Sequence, residues 1–130
     1  MEISSEVSDN IIWIKVSGRM VLDASLLRLR ERVLYGLESG ARRFVVDISE
    51  VPHLDSSGCG EVICIHTSIS RANGSLVFVN PNERIRLLWT HTKLTDVLNI
   101  FNTLDEARDF VERGPTGLRP RQQASFDTPN

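Results

Sequence analysis

The sequence predicts an α/β domain with a mixed, largely parallel sheet of four to five strands, about four helices and an opening β-hairpin. Short runs rich in β-branched and aromatic residues alternate with amphipathic segments of helical period, the pattern of strand–helix–strand units. The first two runs are separated only by Asp9 and Asn10, residue types that tolerate tight turns. This spacing predicts an antiparallel pair ahead of the parallel strands.

Five runs are predicted as strands because β-branched and aromatic residues concentrate in them between turn-forming residues. The run at 44–48 is almost wholly apolar, which indicates a central strand covered by helices on both faces. The runs at 3–7 and 97–101 carry weaker patterns than the other three. The strands are expected at residues 3–7, 11–17, 44–48, 75–80 and 97–101.

Four segments are predicted as helices because each combines apolar residues at helical spacing with a start or stop signal. Asn73 with Gly74 indicates a left-handed stop for the second helix. Thr103 with Glu106 forms a capping box that opens the fourth. The helices are expected from residues 23–25 to Gly40, from Ser57 to Arg71, from residues 81–83 to Thr92 and from residues 103–106 to Gly114.

Length and composition indicate one globular domain at residues 1–113, followed by a disordered tail at 114–130 that holds three of the five prolines. The formal net charge of −2 argues against a dedicated nucleic-acid binder, which needs a concentrated basic face. The start lacks a signal-peptide pattern, and no apolar run is long enough to span a membrane, so a cytoplasmic location is expected. Cys59 and Cys64 are interpreted as small buried hydrophobic residues.

Motifs for enzymatic, metal or cofactor chemistry are missing from the sequence. The three histidines and two cysteines have no zinc-ligand spacing, so no metal site is predicted. No glycine-rich phosphate-binding motif is present, and the G-x-S-x-G element that exposes a nucleophilic serine is absent. The sequence therefore predicts a binding protein without a cofactor rather than an enzyme.

One turn after the central strand combines a carboxylate, two hydroxyls and a glycine. We call Leu54–Gly58 the LDSSG turn. It opens the second helix at the carboxyl end of a strand, where functional turns of α/β sheets collect. The simplest interpretation of Ser57 is a helix cap. Gly58 and Gly60 each cost roughly 1 kcal/mol relative to alanine, which predicts close approach of the fold or of a partner. A helix N-terminus would also tolerate a phosphate.

The run Phe44–Gly60 resembles the signature of the STAS domain, and more narrowly that of bacterial anti-sigma-factor antagonists. Its Asp-Ser-Ser-Gly motif after a buried strand is the most specific part of the likeness, which extends over about residues 1–113. The supporting stretches are Ser17–Asp23, Gly74–Pro81, Val97–Phe101 and Thr103–Ala107.

The resemblance implies a partner-switching cycle that regulates transcription. In such a cycle the dephosphorylated antagonist binds an anti-sigma factor that is also a serine kinase, and thereby frees a sigma factor. The kinase phosphorylates the first serine of the motif, here Ser56, with Ser57 as the second choice, and a metal-dependent phosphatase removes the phosphate. The residues expected to contact the partner are Asp55, Ser56, Ser57, Gly58, Cys59 and Glu61.

Three residues depart from the family's usual pattern, in which apolar residues occupy the positions of His53, Cys59 and Glu61. Glu61 is interpreted either as an outward-facing partner contact or as a charge near a helix start. Two other functions stay open at this point. One is a scaffold STAS module of a stress-sensing assembly, and the other is a STAS domain that binds a nucleotide or lipid or has a minor hydrolase activity.

Overall fold

A computed structural model describes residues 1–23 and 25–113. The proposed disordered tail at 114–130 lies outside the described residues. The strands are β1 (Glu2–Ser8), β2 (Ile11–Ser17), β3 (Arg43–Glu50), β4 (Ser75–Val79) and β5 (Asn99–Phe101). The helices are α1 (Leu26–Glu38), α2 (Ser56–Arg71), α3 (Glu83–His91) and α4 (Leu104–Arg113), with a short 3₁₀ turn at Leu94–Asp96.

The sheet has five strands in the order β1-β2-β3-β4-β5, so each strand pairs with its neighbour in the sequence. β1 and β2 are antiparallel, and every later pair is parallel. Asp9 and Asn10 both have positive φ, 58° and 63°, which is the geometry of the type I′ turn that suits a two-residue hairpin. The predicted fold class and the opening hairpin are confirmed.

The two faces of the sheet are covered unequally. Helices α1, α2 and α3 pack on one face, where Ile14, Val46 and Phe78 are buried in the larger core. On the other face α4 packs Ala107 and Val111 onto the strands in a second, smaller cluster. The inner strands β2, β3 and β4 thus alternate their residues between two cores, which explains why β3 and β4 are apolar on both faces.

Two expectations about single elements need correction. The last strand is confined to Asn99–Phe101, because the N–H groups of Val97 and Leu98 bond back to the Leu94 carbonyl and so belong to the turn that follows Leu94–Asp96. The prediction that both cysteines are buried is wrong: Cys59 is half-buried and Cys64 is exposed on α2. Residue 64 lies on the outer face of the helix, where the apolar character of its neighbours in sequence says nothing about burial.

Candidate functional site

The LDSSG turn is held in place by the extended segment around Met20, which precedes α1 in the chain. Met20 forms an isolated parallel bridge with Leu54. The backbone N–H of Met20 donates to the His53 carbonyl at 2.9 Å, and the Met20 carbonyl accepts from Asp55 N at 3.2 Å. Both Met20 and Leu54 are buried, so this bridge anchors the start of α2 to the core.

Asp55, not Ser57, is the N-cap of α2. Its Oδ1 accepts a hydrogen bond from Gly58 N at 2.9 Å, and its Oδ2 accepts from Leu22 N at 3.2 Å. The interpretation of Ser57 as the cap is therefore wrong, because the helix begins one residue earlier than expected and Ser57 lies in its first turn. The backbone donors, that of Gly58 first, hold the pKa of Asp55 below its ordinary value of 3.8.

Because the pKa of Asp55 is lowered in the folded protein, the free energy of unfolding should depend on pH in the acidic range. A carboxyl group whose folded pKa is lowered stabilises the fold above its unfolded pKa, and this contribution is lost as the pH falls through the folded pKa. We expect Asp55→Asn to be less stable than the wild type at pH 7, with the difference shrinking below about pH 4. Urea unfolding of both proteins between pH 7 and pH 2.5 measures it. A difference that stays constant over this range would contradict the assignment.

Gly58 meets a steric requirement of the fold. It is buried, and a Cβ atom built at this position would stand 2.2 Å from the Met20 carbonyl oxygen and 3.0 Å from Leu54 Cβ. The absence of a side chain therefore lets α2 approach the Met20 backbone. The close approach that the sequence predicted at Gly58 is therefore made within the fold. Gly60 faces open space, so the argument for close approach applies to only one of the two glycines.

The two serines of the turn differ in exposure. Ser56 is exposed and is the first residue of α2, whereas Ser57 is half-buried. Within residues 1–23 and 25–113, the Ser56 side chain has no hydrogen-bond or ionic partner. Its hydroxyl stands at the positive end of the helix dipole, next to the ionised Asp55. Of the two hydroxyls, that of Ser56 is the one an enzyme can reach without disturbing the fold.

Glu61 is buried, and the interpretation as an outward-facing contact is wrong. Only 6% of the residue is exposed, and its carboxylate pairs with the Arg30 guanidinium from α1. Among the described residues, Arg30 Nε and Glu61 Oε2 have no further hydrogen-bond partner. The pair joins α1 to α2 next to the LDSSG turn. Since a buried charge needs a counter-charge, Glu61 depends on Arg30.

We expect Arg30→Met to lower the free energy of unfolding by about 2 kcal/mol. Breaking a fully buried pair costs roughly 3–5 kcal/mol, and the effect is smaller here because the Arg30 side chain is 39% exposed. In the double variant Arg30→Met/Glu61→Leu no buried carboxylate is left, so stability should return to within about 1 kcal/mol of the wild type. Urea unfolding of the three proteins measures this. A double variant as unstable as Arg30→Met would show that the pair is not the cause.

Cys59 is half-buried beside the exposed serine. Burial raises the pKa of the Cys59 thiol, the nearby Asp55 charge raises it further, and the Trp89 indole opposes the rise in part. That indole is fully buried, and its N–H has no partner with hydrogen-bond geometry among the described residues. Cys59 therefore stays a neutral, weakly reactive thiol at the edge of the turn.

Two residues near the turn were not anticipated as part of the site. Leu22 is 76% exposed although it is apolar, and its N–H bonds Asp55. Asn82 caps α3 by accepting from Ile85 N, and its amide donates to the carbonyls of Val51 and Pro52 ahead of the turn. The one sequence signal for these two residues was the apolar Leu22 in the Ser17–Asp23 stretch. The role of Asn82 depends on a contact across thirty residues, which no local pattern reveals.

The described part of the chain offers no alternative centre of metal chemistry. No group of three or more histidine, cysteine, aspartate or glutamate side chains within residues 1–23 and 25–113 could hold a metal ion. In the same residues, each helix is too short or too polar to cross a bilayer.

Comparison with known proteins concerns the domain as a whole. The family model of the STAS domain matches residues 2–107. A protein from Thermotoga maritima named "Putative anti-sigma factor antagonist" is 31% identical over 77 residues, which cover 59% of this chain and 68% of the relative. The match includes most of the domain, so the likeness is not restricted to the turn.

Solved structures show the same fold. The crystal structure of a Thermotoga maritima protein of the same description overlays with a TM-score of 0.79 at 23% identity, covering 85% of this chain and 95% of the other. The Bacillus cell-fate determinant SpoIIAA in its phosphorylated form gives a TM-score of 0.66 at 20% identity, covering 85% and 99%. SpoIIAA is named as an anti-sigma factor antagonist in the structure of its unphosphorylated form. The family model and the relative together establish that the chain belongs to the STAS domain family.

Proposed function

We propose that this protein is an anti-sigma-factor antagonist whose LDSSG turn binds an anti-sigma factor and is switched by phosphorylation of Ser56. The observation that carries the proposal is the position of Ser56, exposed at the first residue of α2 beside the capping carboxylate of Asp55. The names of the relatives support the class of partner. In this proposal the chain is a binding partner and a kinase substrate, and not itself an enzyme.

The partner is proposed to be an anti-sigma factor with serine kinase activity, and a metal-dependent phosphatase restores the free serine. The exposed apolar side chain of Leu22 and the half-buried Cys59 flank Ser56 and give the partner apolar surface to cover. Burial of apolar surface contributes favourable free energy to binding and needs no charged group. Glu61 and Gly58 act from within the fold, since they hold α2 in the position that presents the serine.

The effect of a phosphate follows from this geometry. It adds roughly 1.5 to 2 negative charges at neutral pH, and the helix N-terminus accepts such a charge without melting. The lowered pKa of Asp55 keeps that neighbouring carboxylate ionised, so the phosphate would enlarge an existing negative charge. An interface closing over both groups would have to remove water from them and bear their repulsion. Phosphorylation is therefore expected to release the partner while the domain stays folded.

The site of modification can be tested with two matched variants. We expect the cognate kinase and ATP to add one phosphate to the wild type and to Ser57→Ala, and none to Ser56→Ala. Intact-mass spectrometry counts the phosphates, and fragmentation locates them. A phosphate on Ser57 in the wild type, or undiminished labelling of Ser56→Ala, would move the switch away from Ser56.

A further inference from the structure

The outer edge of β1 has no strand beside it among the described residues, since β1 lies at the end of the sheet order. Its register with β2 runs without a bulge from Glu2 to Ser8. The strand contains neither proline nor lysine, which commonly block an open edge, and its only charged residues are Glu2 and Glu6. It therefore remains able to accept another strand.

The hairpin determines which backbone groups face outward. In a β-turn the first and fourth residues are hydrogen-bonded, so Ser8 bonds Ile11 across the Asp9–Asn10 turn. Hydrogen-bonded residues alternate along an antiparallel pair. Even-numbered residues of β1 therefore bond β2, and the N–H and C=O groups of Ile3, Ser5 and Val7 point away from the sheet.

Only certain registers are possible if a second copy pairs antiparallel along this edge. Outward-facing residues must meet outward-facing residues, and a twofold axis that pairs at least two of Ile3, Ser5 and Val7 must pass through Ser4, Ser5 or Glu6. The Ser5 axis uses all three outward residues, because Ile3 then faces Val7 of the other copy and Ser5 faces its own equivalent. Either of the other axes leaves one of the three unused.

Charge and apolar contact select the same register. An axis at Ser4 would place Glu2 opposite Glu6, and an axis at Glu6 would place that carboxylate opposite itself, which destabilises a cross-strand pair. The Ser5 axis instead places Glu2 opposite Ser8 and Glu6 opposite Ser4. It also covers Val7, which is 72% exposed in the monomer, with Ile3.

We propose that two copies of this chain associate through antiparallel pairing of their β1 strands about a twofold axis at Ser5, forming one continuous sheet. The axis follows from the backbone alternation, the positions of the two glutamates and the exposed valine. The main contacts of α2 are with α1 and β4 and not with β1. The proposal holds whether or not Ser56 is phosphorylated.

The pairing is expected to be weak and to depend on salt. A single shared strand buries less than the roughly 1,200 Å² of an ordinary stable interface. Arg32 of α1 contacts the Ser5 hydroxyl, so two guanidinium groups approach each other near the axis. Salt screens their repulsion, and association should tighten as the ionic strength rises.

Sedimentation velocity of the full chain between about 1 µM and 1 mM should show a reversible monomer–dimer equilibrium. Amide exchange followed by NMR should show protection of Ile3, Ser5 and Val7 that increases with concentration, because only these β1 N–H groups gain partners. Ser5→Pro removes an outward N–H and leaves the bonds to β2, so it should weaken association at least tenfold without unfolding the domain.

Variants of Ser4 test the register and separate it from stability. Ser4→Lys places a cation opposite Glu6 of the other copy twice and should tighten the dimer about fivefold, whereas Ser4→Glu should weaken it by a similar factor. Within one copy Ser4 faces Lys15, so the same variants should change folding stability in the opposite direction. A chain that is monomeric at every concentration, a dimer indifferent to Ser5→Pro, or Ser4 variants that shift association in the same direction would overturn the proposal.

Discussion

Gly58→Ala is expected to lower the free energy of unfolding by about 3 kcal/mol, a large fraction of what a domain of this size possesses. The new methyl group would stand 2.2 Å from the Met20 carbonyl oxygen, which belongs to the backbone and cannot rotate away. The clash must be relieved by moving α2 from the Met20–Leu54 bridge. This movement outweighs the helix preference for alanine, which alone would add about 1 kcal/mol.

Gly60→Ala is the matched control, since the same substitution two residues later enters open space. It lies inside α2, where alanine is preferred to glycine, so we expect an increase in stability of about 0.5–1 kcal/mol. Urea unfolding of both variants and the wild type gives the comparison. Equal stability of Gly58→Ala and the wild type would mean that α2 and the Met20 segment are not in close contact in solution.

Ser56→Asp is expected to weaken binding of the anti-sigma partner about a hundredfold, which corresponds to roughly 2.7 kcal/mol. The substitution puts a permanent carboxylate beside Asp55, whose pKa is already lowered by the N–H groups of Gly58 and Leu22. An interface that covers the turn must then desolvate two adjacent negative charges. Ser56→Ala removes only a hydroxyl and should bind within about threefold of the wild type.

A control for the added charge is available on the same helix. Ser70 is exposed near the C-terminal end of α2, far along the helix from Ser56, and Ser70→Asp should bind nearly as well as the wild type. Isothermal titration calorimetry with the purified partner at two salt concentrations measures all three variants. Equal weakening by Ser56→Asp and Ser70→Asp would show an effect of net charge and not of the turn.

The elements of the fold could be predicted from the sequence because their signals are local. The strand at β3 is a compact apolar run, the hairpin depends on two adjacent residues, and the stop after α2 depends on Asn73, whose φ of 62° is left-handed as expected. Such features need only the residues within one element. The strand order and the division of helices between the two faces need contacts that a local pattern does not contain.

The errors at the site have the same physical origin. Which side chain caps α2 depends on where the helix begins: it begins at Ser56, so the cap is Asp55, two residues before Ser57. Glu61 was open to an outward-facing interpretation because its partner Arg30 lies on another helix. The role of Gly58 depends on Met20, thirty-eight residues earlier in the chain. The motif places Ser56 next to the predicted helix start, whereas its exposure is seen only in the structure.

The strand order also has a consequence for how the chain folds. Because each strand pairs with the next one in the sequence, most of the sheet can assemble from contacts of short or moderate separation as the chain is synthesised. The Met20–Leu54 bridge spans nearly the same sequence separation as the β2–β3 pairs, but it is an isolated bridge and not part of the sheet, so fewer hydrogen bonds hold it. We expect amides at this bridge to gain protection later than those of β2 and β3 in pulse-labelling experiments. A nascent chain would then acquire its sheet before it acquires the surface that a partner recognises.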